Sequence, residues 1–433
     1  MKASCVLAMG LGLVALSAGA SARSLDAPQK VHHARTEPRL SEAHRSAAHR
    51  TSTAAHTSSA HATAAHLAVH SSTGHASAAH ARISAHLRRT SLRTRHHYYE
   101  RFYTRSLLAG PVGAGDITAG EDPVIRQAAI DALGDLNGTA VVIDPSNGRI
   151  LAMVNQKLAL SPGAEPCSTI KLTVAMAALS EGLVTRDTMV KLDGFRMNMT
   201  QALAHSNNLY FEELGRELGF ERVRHYAMEF GLGELAGYNI AGEQLGEYPD
   251  QPIPEADGGV ARMCSFGQGV SVTPLQLGAY VAALANGGTL YYLQHPTTPE
   301  EVADFQPRIK RTLDIARYVP DMIDGMAGAV EYGTARRLRA DFQEFPVFGK
   351  TGTCSNDGTH LGWFASYSDS PEGSLVTVFL LEGGRDVFGP RAAELTGEFY
   401  KDLWDRDYFH TRTQEAQSDS GRTPTATPVG ATQ

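Results

Sequence analysis

The sequence predicts an α+β fold: one antiparallel sheet assembled from both ends of the folded region, with a helical lobe inserted between them. Two observations carry this. The β-rich runs 139–144 and 149–154 flank the turn cluster Pro145-Ser146-Asn147-Gly148 and read as a hairpin. Far downstream, three more strand-like runs at 345–353, 360–367 and 375–381 are separated by Asn356-Asp357-Gly358 and Pro371-Glu372-Gly373. Between the two groups the apolar pattern is mainly that of helices.

The elements follow in order. Asp122 precedes Pro123 and can cap a helix running to about residue 133. After the hairpin, the spacing predicts a helix over 168–182, ending near Glu181-Gly182. Thr200 can cap a short helix that ends at His205-Ser206-Asn207-Asn208. A second helix carries Leu209, Phe211, Leu214 and Leu218 and stops at Gly219; a third, 221–230, is closed by Gly231. Thr273-Pro274 opens a long apolar helix that Asn286-Gly287-Gly288 ends, and another covers 318–330. A C-terminal helix spans about 391–405.

The 433 residues are not uniform. Residues 1–22 carry Lys2, an apolar run and Ala20-Ser21-Ala22, the pattern of a secretory signal peptide with a small-residue cleavage site. The apolar run is short for a bilayer span of ~20 residues, so cleavage and a periplasmic or secreted product are expected, with a retained inner-membrane anchor facing the periplasm as the alternative. Residues 23–105 hold 13 of the 18 histidines amid Ala, Ser, Thr and Arg. Such a segment buries too little apolar surface to offset its ordering entropy and reads as a disordered linker. It is basic, with 13 Lys/Arg against 4 Asp/Glu, whereas residues 106–433 carry −17. Contact of this His-rich arm with metal ions or with anionic envelope polymers is a competing use. Residues 106–412 form the expected folded domain, and 413–433 an expected disordered tail rich in Pro and Thr.

The chemistry starts at Glu165-Pro166-Cys167-Ser168-Thr169-Ile170-Lys171. Residues i and i+3 share a helix face, so the Ser168 hydroxyl and the Lys171 amine can touch. A serine is a weak nucleophile until a neighbour takes its proton, and a desolvated lysine can become the neutral base that does so. The helix N-terminus would favour developing negative charge. An isolated S-x-x-K is more often a cap and a solvated lysine. Here lysine is scarce, eight in the chain, and only Lys171 has a serine three residues ahead.

Two further strings follow: Ser206-Asn207-Asn208, S-x-N at a helix junction, and Lys350-Thr351-Gly352-Thr353, K-T-G-T within a strand. In the order S-x-x-K, S-x-N, K-T-G, the region from about 116 to 405 resembles the transpeptidase domain of penicillin-binding proteins, among the serine β-lactam-interacting enzymes. Gly267-Gln268-Gly269, Thr273 to Leu277, Gly333-Thr334-Ala335 and Gly362-Trp363-Phe364 extend the resemblance. It implies a β-lactamase/transpeptidase-like fold and a D,D-transpeptidase or D,D-carboxypeptidase acting on peptidoglycan stem peptides, with β-lactams as covalent inhibitors. It implies no cofactor, no metal and no nucleic-acid partner.

The resemblance also implies roles. Ser168 would attack the D-Ala-D-Ala carbonyl and form an acyl-enzyme; Lys171 would take its proton. Ser206 would relay that proton to the departing amine, and Asn208 would position Lys171 and the substrate amide. Lys350, with the hydroxyls of Thr351 and Thr353, would hold the terminal carboxylate. Gly352 would let substrate backbone approach. The N–H groups of Ser168 and Thr353 would form the oxyanion hole.

Cys167 directly precedes the serine and Cys354 directly follows K-T-G-T. If the serine's turn and the strand share an oxyanion hole, the two are neighbours. A bridge at matching positions is familiar from some class A carbapenemases, so a Cys167–Cys354 disulfide with Cys264 free is expected. A serine β-lactamase, class A- or D-like, is the runner-up, though S-x-N in place of S-x-V argues against class D. Its class A form would need a glutamate in an E-x-x-x-N pattern, and Glu234 with Asn239 has the wrong spacing. A non-turnover β-lactam-binding sensor is the third reading. The sequence contains no G-x-S-x-G, H-E-x-x-H or C-x-x-C motif and no P-loop or dinucleotide fingerprint. The region ahead of the domain is too short, and of the wrong composition, for the glycan-polymerising domain of bifunctional relatives. A transpeptidase domain on a flexible leader is therefore expected.

Overall fold

The computed structural model describes residues 110–356 and 358–411. The segments read above as signal peptide, His-rich linker and C-terminal tail lie outside the described residues. Helix α1 (Pro123–Leu133) begins as expected, with Asp122 accepting from the N–H groups of Val124 and Ile125 and Pro123 in the first turn. Strands β1 (Gly138–Ile143) and β2 (Ile150–Val154) form the hairpin. The lobe follows, from α2 (Gln156–Ala159) and α3 (Lys171–Ser180) to α4 (Met199–Ala204) and α5 (Asn208–Glu229). It continues through α6 (Gly259–Phe266), α7 (Pro274–Ala285), α8 (Pro299–Ala303) and α9 (Val319–Glu331), with two small hairpins, β3–β4 (190–197) and β5–β6 (289–312). Strands β7 (Val347–Asn356), β8 (Thr359–Ser368) and β9 (Val376–Gly383) precede the last helix, α10 (Gly389–Asp405).

The five-stranded antiparallel sheet has the order β2-β1-β9-β8-β7, so the early hairpin joins the late meander through β1 and β9. Each strand sorts its residues by alternation. On one face Val141, Ile143, Trp363, Ala365, Val378 and Leu380 pack against α3 and α7. On the other, Ala140, Val142, Phe364, Phe379 and Leu381 pack against α1 and α10. Both faces are buried, which explains the nearly continuous apolar runs. The two edge strands of this sheet are β2 and β7.

Three local readings change. The expected helix over 168–182 is a 3₁₀ turn, Cys167–Ile170, followed by α3. The short helix is capped by Asn198, not Thr200; Asn198 and Gln201 form a reciprocal capping box two residues earlier. Helix α6 and the two small hairpins carried no clear sequence signal. Helix α6 has only eight residues and lacks a polar cap, lying between Gly258 and Gly267, both at positive φ. The break at Gly219 holds, with φ 73° and ψ 162° inside α5.

Candidate active site

Ser168 lies in the 3₁₀ turn, where residues three apart eclipse one another. That geometry stacks its side chain over Lys171, the first residue of α3. The turn is braced from several directions. The Trp363 indole N–H donates to the Glu165 carbonyl at 2.9 Å, and the Thr169 hydroxyl donates to the Pro166 carbonyl at 2.7 Å. Gly267 leaves room for the Pro166 ring, whose Cγ would lie 2.5 Å from a Cβ at that position. Cys167 is held in the left-handed region at φ 51°, an unfavourable conformation for a residue with a side chain.

Lys171 is fully buried. Its Nζ lies 2.8 Å from Ser168 Oγ, 2.6 Å from Asn208 Oδ1, 3.0 Å from the Ser206 carbonyl and 3.2 Å from Ser206 Oγ. The Phe211 ring stands 5.7 Å away. Burial pushes the ammonium down to about 7, against the opposing charge of Glu212. Near neutral pH the amine is therefore poised between its two forms, and its lone pair can take the Ser168 hydroxyl proton.

Ser206 bridges two lysines. The Lys350 ammonium donates to its Oγ at 2.8 Å and to the Thr351 carbonyl at 2.8 Å. Ser206 sits at φ 55°, at the junction of α4 and α5. The contacts of Ser206-Asn207-Asn208 are divided between neighbours. Asn207 caps α5 by accepting from the Tyr210 N–H at 2.9 Å, while Asn208 accepts from Lys171. Lys350 is also fully buried, and burial with the nearby Lys171 charge pushes it well below its ordinary range.

The threonines of K-T-G-T alternate with Lys350 along β7. The Thr351 hydroxyl donates to Thr334 Oγ1 at 2.6 Å; Thr353 is exposed and its Oγ1 accepts from the Gly389 N–H at 2.8 Å. Gly352 was expected to make room for substrate backbone. The space it leaves is filled by the protein itself, for a Cβ there would lie 2.8 Å from the Pro166 carbonyl. Thr334 is a partner that only its place in the Gly333-Thr334-Ala335 string hinted at.

Cys167 and Cys354 are disulfide-bonded across 187 residues, with their Cα atoms 5.6 Å apart. Cys264 is free and buried on α6, where burial pushes its thiol up to about 12, leaving it unreactive. His205 stacks at a tilt on Tyr332, centroids 5.6 Å apart, rather than serving Ser206. Glu234 is held by Lys310 and Arg311, away from the lysine–serine cluster.

Comparison with known proteins identifies the family. The model of the penicillin binding protein transpeptidase domain matches residues 138–403. Stage V sporulation protein D of Bacillus subtilis is 28% identical over 316 residues, covering 61% of this chain and 48% of that protein. The peptidoglycan D,D-transpeptidase FtsI of Escherichia coli K12 is 23% identical over 283 residues, covering 56% of this chain and 46% of that one. The chain thus spans about half the length of these curated relatives. Among solved structures, Pseudomonas aeruginosa PBP2 in complex with WCK 5153 is alike in fold, with a TM-score of 0.56 at 22% identity over 66% of this chain and 77% of that one. The family match takes in both halves of the sheet and the whole inserted lobe: the chain belongs to the penicillin-binding protein transpeptidase domain family.

Proposed function

We propose that this chain is a penicillin-binding D,D-transpeptidase that works on peptidoglycan stem peptides through an acyl-enzyme on Ser168. The observation that carries the reading is the buried Lys171 amine, lowered to about 7 and 2.8 Å from the Ser168 hydroxyl. Neutral Lys171 takes the hydroxyl proton as Oγ bonds to the carbonyl carbon of the penultimate D-Ala. The negative charge that develops on the carbonyl oxygen is met by the N–H groups of Ser168 and Thr353, each worth on the order of 3 kcal/mol. Ser206, within reach of both lysines, passes a proton to the departing D-Ala nitrogen as the C–N bond breaks. The Ser168 ester is then released by an amine of a second stem, giving a cross-link, or by water, giving carboxypeptidase action.

Lys350 would hold the terminal carboxylate. Binding that anion would offset the cost of a second charge beside Lys171. Of the two threonines, exposed Thr353 can donate its hydroxyl proton to the carboxylate directly. Thr351 must first turn away from Thr334. β-Lactams, which carry an acylating carbonyl and a carboxylate, would occupy the same groups and remain on Ser168. The pairing of Glu234 with Lys310 and Arg311 supports this reading over a class A β-lactamase, which needs a free glutamate base. The disulfide supports an oxidising compartment, and with the leader pattern a periplasmic or secreted location.

Fluorescent penicillin tests the proposal. Stable labelling of the native chain that disappears in Ser168→Ala is expected. Absence of labelling would sink it, and label lost within seconds would instead indicate a β-lactamase.

A further inference from the structure

A cleft opens beside the turn that carries Ser168, walled by Glu165, Glu247, Arg262, Gln268 and Ser355 among others. It belongs to the same edge of the sheet. Lys350, Thr353 and Ser355 follow one another on β7, an edge strand, at about 3.3 Å per residue. A stem peptide laid along that edge has its terminal carboxylate at Lys350 and its reacting carbonyl at the Thr353 N–H. Its preceding residues therefore run toward Ser355 and the cleft.

Of the three charged groups in the cleft wall, Glu247 is exposed, and half-buried Glu165 and Arg262 are chemically unfinished. Glu165 is half-buried, and its carboxylate makes no hydrogen bond or ion pair among the described residues. Its backbone carbonyl accepts the Trp363 bond at 2.9 Å, which ties the residue to the turn that carries Ser168. Arg262, on α6, donates from Nε to Gln268 Oε1 at 3.2 Å and lays its guanidinium over the Phe266 ring, 4.0 Å from the centroid. Its two terminal nitrogens have no acceptor among the described residues. Arg262 is near enough to influence the Glu165 charge, yet the two form no salt bridge. An anchored anion and an anchored cation that share a cleft unpaired suit a ligand bearing one charge of each sign.

We propose that Glu165 and Arg262 form a subsite for the donor stem's side chain just ahead of the reacting D-Ala. The subsite reads an amino-acid head group, its ammonium on Glu165 and its carboxylate on the free edge of Arg262. A stem whose side chain ends in an ammonium alone, or whose carboxylate is amidated, leaves Arg262 unmatched and is the poorer donor. The inference rests on the transpeptidase reading above, because the donor's direction along β7 comes from it.

The test uses the full chain and two synthetic pentapeptide donors. They are identical except that the third side chain ends in a free amino acid or in its carboxamide. Acyl-enzyme formation is followed by mass spectrometry. The native protein should prefer the free acid about tenfold. Arg262→Gln should remove that preference, Arg262→Lys should keep part of it, and Glu165→Gln should weaken both donors alike. The ratio of the two donors within one variant is unaffected by the fraction of protein that folds, so a merely structural role for Arg262 would not move it. Equal rates with the native protein, or an unchanged ratio in Arg262→Gln, would overturn the subsite. The transpeptidase reading fails separately, through absence of both acylation by either donor and penicillin labelling of the native chain.

Discussion

Gly352 of the edge strand and Pro166 of the nucleophile turn meet backbone to backbone. The glycine's missing Cβ would stand 2.8 Å from the proline carbonyl oxygen. One residue beyond Pro166 and two beyond Gly352, the chain is tied again by the Cys167–Cys354 bond. These two contacts hold β7 against the turn that carries Ser168, and the proposed chemistry needs the Ser168 and Thr353 N–H groups to converge on one oxygen.

Gly352→Ala should therefore act on rate and stability together. The added methyl group has backbone on one side and the Trp363 Cβ at 3.2 Å on the other, so the strand must move away from the turn. A loss of about 1–3 kcal/mol in stability is expected, with penicillin acylation slowed at least tenfold because the oxyanion hole widens. Thermal unfolding and stopped-flow labelling measure the two; a variant with native acylation would show that the contact does not set the hole.

The rate of acylation should rise with pH through about 7. Burial lowers the Lys171 ammonium, so the neutral base is scarce below that value and abundant above it. Lys171→Arg, which keeps a permanent charge, should lose about a thousandfold or more in rate. A flat native profile between pH 6 and 8 would count against Lys171 as the base.

Ser206→Ala leaves Lys171 within reach of Ser168 but removes the hydroxyl shared with Lys350. The expected loss is roughly a hundredfold or more in acylation, with the folded structure kept. If Ser206 relays the proton to a leaving amine, a donor with a better leaving group than an amine should be less affected. Comparing an ester donor with an amide donor gives that readout.

Reduction should release two thiols that are silent in the denatured, unreduced chain. Cys167→Ser with Cys354→Ser should lower stability by about 2–5 kcal/mol and slow acylation as well. Thiol titration with and without reductant, followed by calorimetry, would detect the change. Equal thiol counts before and after reduction would show the cysteines unbonded.

Much of this protein can be read along the chain. The hairpin at 138–154, the strands after Val347 and the Asp122 and Thr273 caps depend on local signals: alternation, turn residues, cap chemistry. The three motifs stand out because their residue types are rare and ordered. What local signals could not supply was α6, too short and glycine-bounded to show a period, and the cap at Asn198, where Thr200 offered an equally good hydroxyl.

The sequence by itself determined which residues can do the chemistry, because nucleophile, amine and amide are properties of side chains. Tertiary structure alone decided their state. Lys171 and Lys350 are ordinary exposed cations until the lobe closes on the sheet edge and removes their water. Only that closure brings Ser206 between them, leaves Glu165 and Arg262 unpaired, and fills the space beside Gly352 with the protein's own backbone. Desolvation and proximity belong to the packed whole, and no local pattern encodes them.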